Sequence, residues 1–244
     1  MTGASAAHRI RVASYNVRGL QDDRAALVRV IRTIAPDVLL LQEVPRHPVS
    51  GHRIAGFADD VGLTWFGGKR YRMSTTVMTS LRLDVLDAHH GPLPVRRFDE
   101  PRGFGMATVR LPGHRPLVAC SVHLSLRATD RLPEVRTLLG EVDPHLPRVV
   151  GGDLNEEPSG PAWRHLAGEL PEVSPPAPTF SARDPHKQID GIFATEGLRG
   201  VIPELDLDRQ LLAVATDHLP VIVDLDVSPL ALPPTGHETP REDT

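Results

Sequence analysis

Short apolar runs broken by Gly and Pro recur along this chain. They are Ile10–Val17, Val38–Gln42, Thr75–Ser80, Ala107–Leu111, Leu117–Leu124, Arg148–Val150, Ile189–Phe193 and Pro220–Leu225. Runs of this length bounded by turn residues predict strands. Helical spacing is plainest in Asp22–Ile34, where Ala26, Leu27, Val30, Ile31 and Ile34 form one stripe. An Asp at its start offers an N-cap and Pro36 stops it. Further helices are predicted across Arg131–Val142 and Pro161–Gly168. Leu170–Thr179, Pro-rich and acidic, predicts a surface loop. Many strands with few helices predict an α/β (α+β) domain, sheet packed on sheet with helices outside. From Val227 onward there is little left to bury, so the domain is expected at 8–226 and a disordered tail at 227–244.

The length, 244 residues, suits one large domain. Its 40% hydrophobic and 24% charged content is ordinary for a soluble protein. No stretch approaches the roughly 18 apolar residues of a membrane span. Met1–His8 carries neither a basic start nor an apolar core, so no secretory signal is visible and a cytoplasmic location is expected. The single cysteine, Cys120, excludes a disulfide framework and reads as a buried strand residue. A net charge of −4 gives no global pull toward nucleic acid, and 4% aromatics argue against a base-stacking platform. A monomer is expected.

Candidate chemistry gathers at the ends of the predicted strands. The run Arg148–Val150 leads through Gly151-Gly152 to Asp153 and Asn155. Alternate residues of an extended chain share a face, so this carboxylate and amide can point into one site. Hard oxygens of this kind suit Mg²⁺ and phosphate. Other strands repeat the pattern: Ile10–Tyr15 delivers Asn16, Asp37–Leu41 delivers Gln42-Glu43, and Leu117–Val122 delivers His123. Asp190 opens a run instead of closing one, and Thr216-Asp217-His218 precedes another. Singly, each of these has a turn-forming or structural reading; as six polar insertions at strand ends they form a coherent chemical set.

In SYNVRG (14–19), LLLQEV (39–44), SVHLS (121–125), GGDLNEEP (151–158), QIDGIF (188–193) and ATDHLPV (215–221), in that order, the chain resembles the endonuclease/exonuclease/phosphatase superfamily. The resemblance implies the DNase I-like fold, a four-layered sandwich of two packed sheets with flanking helices. It also implies metal-dependent hydrolysis of a phosphoester by in-line attack of water. Glu43 would be the main ligand of Mg²⁺ (or Mn²⁺), with Asn16, Asp217 and Asp153 completing the metal site. Asp153 would orient or deprotonate the attacking water, and Asn155 would hold water or phosphate. Asp190 and His218 would form a dyad in which the carboxylate fixes the imidazole. His123 would donate to a non-bridging oxygen as charge builds.

The chain departs from that pattern in two places. Arg18 stands where nuclease members often carry an acid two positions after the motif Asn. Gln188 and Gly191 flank Asp190 where many members carry Arg and Tyr. Beyond the motifs, Arg102 in the loop Asp99–Gly105 and Arg72 in Lys69-Arg70-Arg72 are expected to offer guanidinium forks to phosphate. The inositol-phosphatase signature is missing, and Trp65-Phe66 alone is too short for a membrane-seating hairpin, so no stable membrane association is expected. The implied partner is a phosphoester, of which nucleic acid is one class. A phosphodiesterase or nuclease is the first expectation and a small-molecule or lipid phosphatase the second. A non-catalytic phospholigand binder would be marked by loss of Glu43, Asp153 or His218, and none is lost.

Overall fold

A computed structural model describes residues 6–47, 50–67 and 73–233. Among these residues, eleven strands form two mixed sheets. The first holds β1 (Arg9–Asn16), β2 (Val38–Gln42), β3 (Thr64–Trp65), β4 (Thr76–Thr79), β10 (Arg199–Val201) and β11 (Val221–Asp226), in the order β10-β11-β1-β2-β4-β3. The second holds β5 (Asp84–Pro92), β6 (Gly103–Arg110), β7 (Leu117–His123), β8 (Arg148–Asp153) and β9 (Asp190–Ala194), in that order. Each has one parallel pair, β1 with β2 and β7 with β8, and is otherwise antiparallel.

The period of two places Val12, Val38, Leu40 and Val223 against Ala107, Ala119, Val149 and Ile192 in a core between the sheets. Intervening residues face outward. Ala13, Tyr15, Leu39 and Leu41 bury against helices α1 (Arg24–Ile34), α2 (Gly51–Val61) and α5 (Arg209–Ala215). Cys120, Val122, Val150 and Phe193 bury against α3 (Ala128–Glu141) and α4 (Pro161–Glu169). The layers therefore run helix, sheet, sheet, helix. Cys120 is buried as expected, and burial pushes its thiol pKa up.

The predicted strands all form, with ends shifted by a few residues. Helix α1 starts after Asp23, whose carboxylate accepts the Ala26 N–H at 2.9 Å, and stops at Ala35 in the left-handed region, φ 47°. Sequence periodicity misses α2, which contains Gly51 and Gly56, and the seven-residue α5. It also misses the edge strand β5, whose alternating exposed positions are filled by polar residues such as Asp84, Asp87 and His89.

Two expectations need correction. Leu170–Thr179 is not a free surface loop: Leu170, Ser174 and Thr179 are buried. Val173 N–H donates to Ile192 O at 2.8 Å and Ala194 N–H to Pro171 O at 3.0 Å, so the segment covers the open edge of β9. The segment expected as a tail begins with packed residues. Val227 and Leu230 join the inter-sheet core, and Val227 N–H donates to His8 O at 2.8 Å. Residues 234–244 lie outside the described residues.

At one end the sheets approach through small side chains. A Cβ on Gly151 would stand 2.7 Å from Leu40 Cδ1 of the facing sheet and 3.3 Å from Ser14 Cβ. Next to it Gln42 is sealed between the sheets, donating to Ser121 Oγ at 2.9 Å, while Ser121 donates to Leu41 O at 2.7 Å. On the β7 side a Cβ on Gly152 would lie 1.9 Å from Val122 O. Gly152→Ala is therefore expected to destabilise the fold by about 3 kcal/mol or more, the scale of severe steric conflict in a packed core. Urea unfolding checks this; a loss below about 1 kcal/mol would contradict the steric reading.

Candidate active site

Strand direction explains which residues meet. β1 and β2 run in parallel with Asn16 opposite Gln42, so Asn16 and Glu43 leave the first sheet together. β7 and β8 run in parallel with His123 opposite Asp153, and do the same for the second. β9 is antiparallel to β8, so its first residue, Asp190, pairs with Asp153. β11 is antiparallel to β1, which places Asp217 and His218, just before it, beside the end of β1. Thr216 Oγ1 fixes that junction by donating to Asn16 O at 3.0 Å.

At the centre the Asn16 amide Nδ2 donates to Glu43 Oε1 and to Asp153 Oδ2, each at 3.0 Å. Its Oδ1 accepts the Arg18 N–H at 3.0 Å. Asn16 thus clamps two carboxylates, and its Oδ1 is partly engaged by the backbone, so its amide nitrogen and not a metal contact defines its place here. Asp153 Oδ1 accepts the Asn155 N–H at 2.8 Å. The Asn155 side chain donates to Leu124 O at 2.9 Å and lies 3.1 Å from His123 Nε2. Glu43 and Asn155 both hold left-handed backbone, φ 52° and 49°. Asn tolerates that region, whereas for Glu it is uncommon and marks a position held by its surroundings.

The two histidines have opposite electrostatics. His123 is buried, with Nδ1 3.2 Å from Arg102 Nη1. Burial first, then the charges of Arg102, His218 and Arg46, hold its pKa well below the ordinary value, so the ring is neutral. His218 Nδ1 donates to Asp190 Oδ2 at 2.9 Å, and its Nε2 lies 3.7 Å from Asp153 Oδ2. Burial alone would lower its pKa. The charge and hydrogen bond of Asp190, with Asp153 and Asp217, outweigh burial and raise it to about 9. The aspartate–histidine dyad is therefore geometrically in place, with its imidazole cationic and its carboxylate ionised. Asp153 is fully enclosed, and burial followed by the charge of Asp190 pushes its pKa up.

Glu43, His123 and Asp153 present ligand atoms within 4.8 Å of one another, as do Asp153, Asp190 and His218. Two carboxylates on one amide, one of them buried with its charge disfavoured, suit a divalent cation that prefers oxygen. Asp217 lines the same cleft but belongs to neither group; Arg18 Nε lies 3.4 Å from its Oδ2. Arg102 does reach the cleft. It is buried, however, with Nη1 on His123 and Nη2 3.5 Å from Glu100, so no open fork faces a phosphate. Arg72, with Lys69 and Arg70, lies outside the described residues.

Several supporting residues escaped the sequence reading. Glu134 accepts both the N–H and the hydroxyl of Ser125, anchoring the turn after His123. Glu156 Oε2 accepts the Ala162 and Trp163 N–H groups at 2.6 and 3.0 Å, capping α4. Thr179 Oγ1 accepts the N–H groups of Ile189 and Asp190 at 3.2 Å. The ring of Phe180 lies 5.0 Å from that of His218. An acid a few residues before Pro161 was a legible capping signal for Glu156; Glu134 resembled any charged helix residue. Glu43, His123, Asp153, Asn155, Asp217 and His218 line a cleft of about 600 Å³, which Lys187 also borders.

Residues 13–218 match the sequence profile of the Endonuclease/Exonuclease/phosphatase family. The chain belongs to that family. Solved structures agree. An endonuclease/exonuclease/phosphatase from Beutenbergia cavernae is 25% identical, with TM-score 0.67 over 90% of this chain and 72% of that one. The human Nocturnin catalytic domain, solved with a bound sulfate, is 20% identical, with TM-score 0.67 over 89% and 94%. A mannosyl-6-phosphatase from Bacteroides thetaiotaomicron is 16% identical, with TM-score 0.66 over 88% and 99%. No curated protein matches. The two packed mixed sheets with flanking helices are the DNase I-like architecture of this superfamily, so the chain is a phosphoesterase by family. No helix among the described residues is long and apolar enough to cross a membrane.

The dyad has a pH signature. A pKa raised from the ordinary 6.5 to about 9 means that His218 contributes stability that is full below pH 6.5 and is lost as pH rises through about 9. Metal-free protein should lose unfolding free energy across that window, and Asp190→Asn should flatten the slope. Urea melts at several pH values check this; an unchanged slope in the variant would remove Asp190 as the cause.

Proposed function

We propose that this protein hydrolyses phosphodiesters, nucleic acids among the classes to be tested, by in-line attack of water with Mg²⁺, for which Mn²⁺ can substitute. The observation that carries the reading is Asp153: a buried carboxylate tied to Asn16 and standing between Glu43, His123 and the His218–Asp190 dyad. Glu43 and Asp153 would hold the cation. When bound, such an ion offsets charge on the phosphoryl oxygens and on the departing oxygen.

The remaining steps fall to this chain's own groups. Asp153, whose burial favours proton uptake, orients water and takes a proton as the water oxygen bonds to phosphorus. The ester P–O bond breaks on the opposite side, and the leaving oxygen takes a proton from solvent and departs as an alcohol, while Asp153 later returns its proton to solvent. His218, cationic against Asp190, faces the phosphoryl group with positive charge and handles the proton returned in turnover. His123 and Asn155 donate to phosphoryl oxygens as negative charge builds.

A second reading, a small phosphomonoester or cyclic phosphoester substrate, has its own support. Arg18, Arg46, Arg96 and Arg127 are exposed, and each lies within 3.5 Å of a carboxylate. Neutralised arginines do not track a polyanion. The relatives named above include a mannosyl-6-phosphatase, and another solved structure of similar fold is described as a 2′,3′-cyclic phosphatase.

Bis-p-nitrophenyl phosphate with and without Mg²⁺ tests the reaction, and a panel of plasmid DNA, RNA, sphingomyelin and phosphomonoesters ranks the substrates. Asp153→Asn and His218→Ala should each lower kcat by about a hundredfold or more, the scale of losing an acid–base or electrostatic group, and EDTA should abolish turnover. No metal-dependent turnover on any of these substrates would end the enzymatic reading.

A further inference from the structure

We propose that Arg102 is a positioning residue that fixes His123 as the neutral tautomer with hydrogen on Nε2. The inference rests on the hydrolytic reading above for its consequence, though not for its test. His123 meets two donors that a neutral ring cannot both satisfy. Arg102 Nη1 lies 3.2 Å from Nδ1, and the Asn155 amide Nδ2 lies 3.1 Å from Nε2. Guanidinium nitrogens only donate, so a hydrogen bond from Arg102 requires a lone pair on Nδ1. A neutral imidazole with a lone pair on one nitrogen carries its hydrogen on the other. If Asn155 won instead, the hydrogen would move to Nδ1 and face the guanidinium.

The contest is unequal. Arg102 and His123 are both nearly sealed, 4% and 2% exposed. A buried charged donor left without an acceptor costs far more than a neutral amide does. Asn155 has a second acceptor, Leu124 O at 2.9 Å, and loses little. Beyond His123, Arg102 has Glu100, 3.5 Å from Nη2, and the charge of the buried Glu134, and neither takes the place of an acceptor for Nη1.

The outcome shapes the cleft. Nε2 lies 3.4 Å from Asp153 Oδ2 and 4.0 Å from Glu43 Oε1. Carrying hydrogen, it has no lone pair to offer a metal, so it leaves the cation to the carboxylates. It becomes instead a neutral donor facing the place where charge develops. The arginine that sequence reasoning assigned to phosphate thus acts through the histidine.

Side-chain nitrogen NMR of the full chain, labelled with ¹⁵N-histidine, stripped of metal and held at pH 7, reads the tautomer directly. His123→Gln assigns the resonance. Wild type should show hydrogen on Nε2 and a bare Nδ1. Arg102→Lys keeps a cationic donor and should keep that tautomer. Arg102→Met keeps bulk but removes the donor. It should let Asn155 bond Nε2, moving the hydrogen to Nδ1 and lowering kcat on bis-p-nitrophenyl phosphate about tenfold or more, while KM shifts by less than about threefold. A wild-type ring protonated on Nδ1 or on both nitrogens would overturn the proposal. So would an Arg102→Met ring that stays protonated on Nε2 in a variant whose dispersed backbone resonances show it folded, whether or not activity is retained. Should wild type hydrolyse no phosphoester, the functional reading falls while the tautomer still decides this one.

Discussion

The hydrogen bond from the Asn16 amide to Asp153, one of several that cross between the two sheets, is the constraint around which the functional end of this protein is arranged. Asn16 closes a strand of one sheet and Asp153 a strand of the other, so their side chains meet only if the sheets approach closely there. Gly151 permits that approach, because any Cβ would strike Leu40 of the facing sheet. Gln42 and Ser121 fill the remaining space with hydrogen bonds rather than methyl groups. The apolar core ends at this polar layer, and the reactive groups sit on top of it. A buried polar layer is acceptable because its members are paired, and pairing also fixes the relative position of the sheets.

Above that layer the electrostatics divide two chemically identical rings into different reagents. Asp190 and its acidic neighbours make His218 a cation, while Arg102 and burial make His123 neutral. Asp153 lies between them with its ionised form disfavoured, which favours both proton uptake and a cation beside it. Such separation of neighbouring ionisable groups is a frequent mark of acid–base sites. Here it arises from strand direction, since the antiparallel placement of β9 against β8 brings Asp190 to the dyad.

Much of the site was legible because strand ends are local events in a chain. An apolar run that stops at a polar residue names both the strand and the group it delivers. Asn16, Glu43, His123, Asp153, Asn155, Asp190, Asp217 and His218 all line one end of the molecule, as the pattern suggested. The supporting residues were less visible for an equally physical reason. Glu134, Thr179 and Arg102 act on partners far along the chain, and their own neighbourhoods resemble ordinary helix or loop. Edge strand β5 stayed hidden because one face is wet and its polar residues erase the apolar run.

By itself, the amino-acid order determined the layered α/β class, the principal strands and helices, and the set of groups available for phosphoester chemistry. These follow from local propensity and from the period of two, which need no knowledge of distant contacts. The tertiary structure alone decided which of those groups touch one another. It assigned Asn16 to clamp carboxylates, paired Asp217 with Arg18, and turned Arg102 from an expected phosphate fork into a partner of His123. Each depends on which atoms become neighbours once water is excluded. Hydrogen-bond direction and charge then act over a few ångströms, a scale that linear spacing does not record.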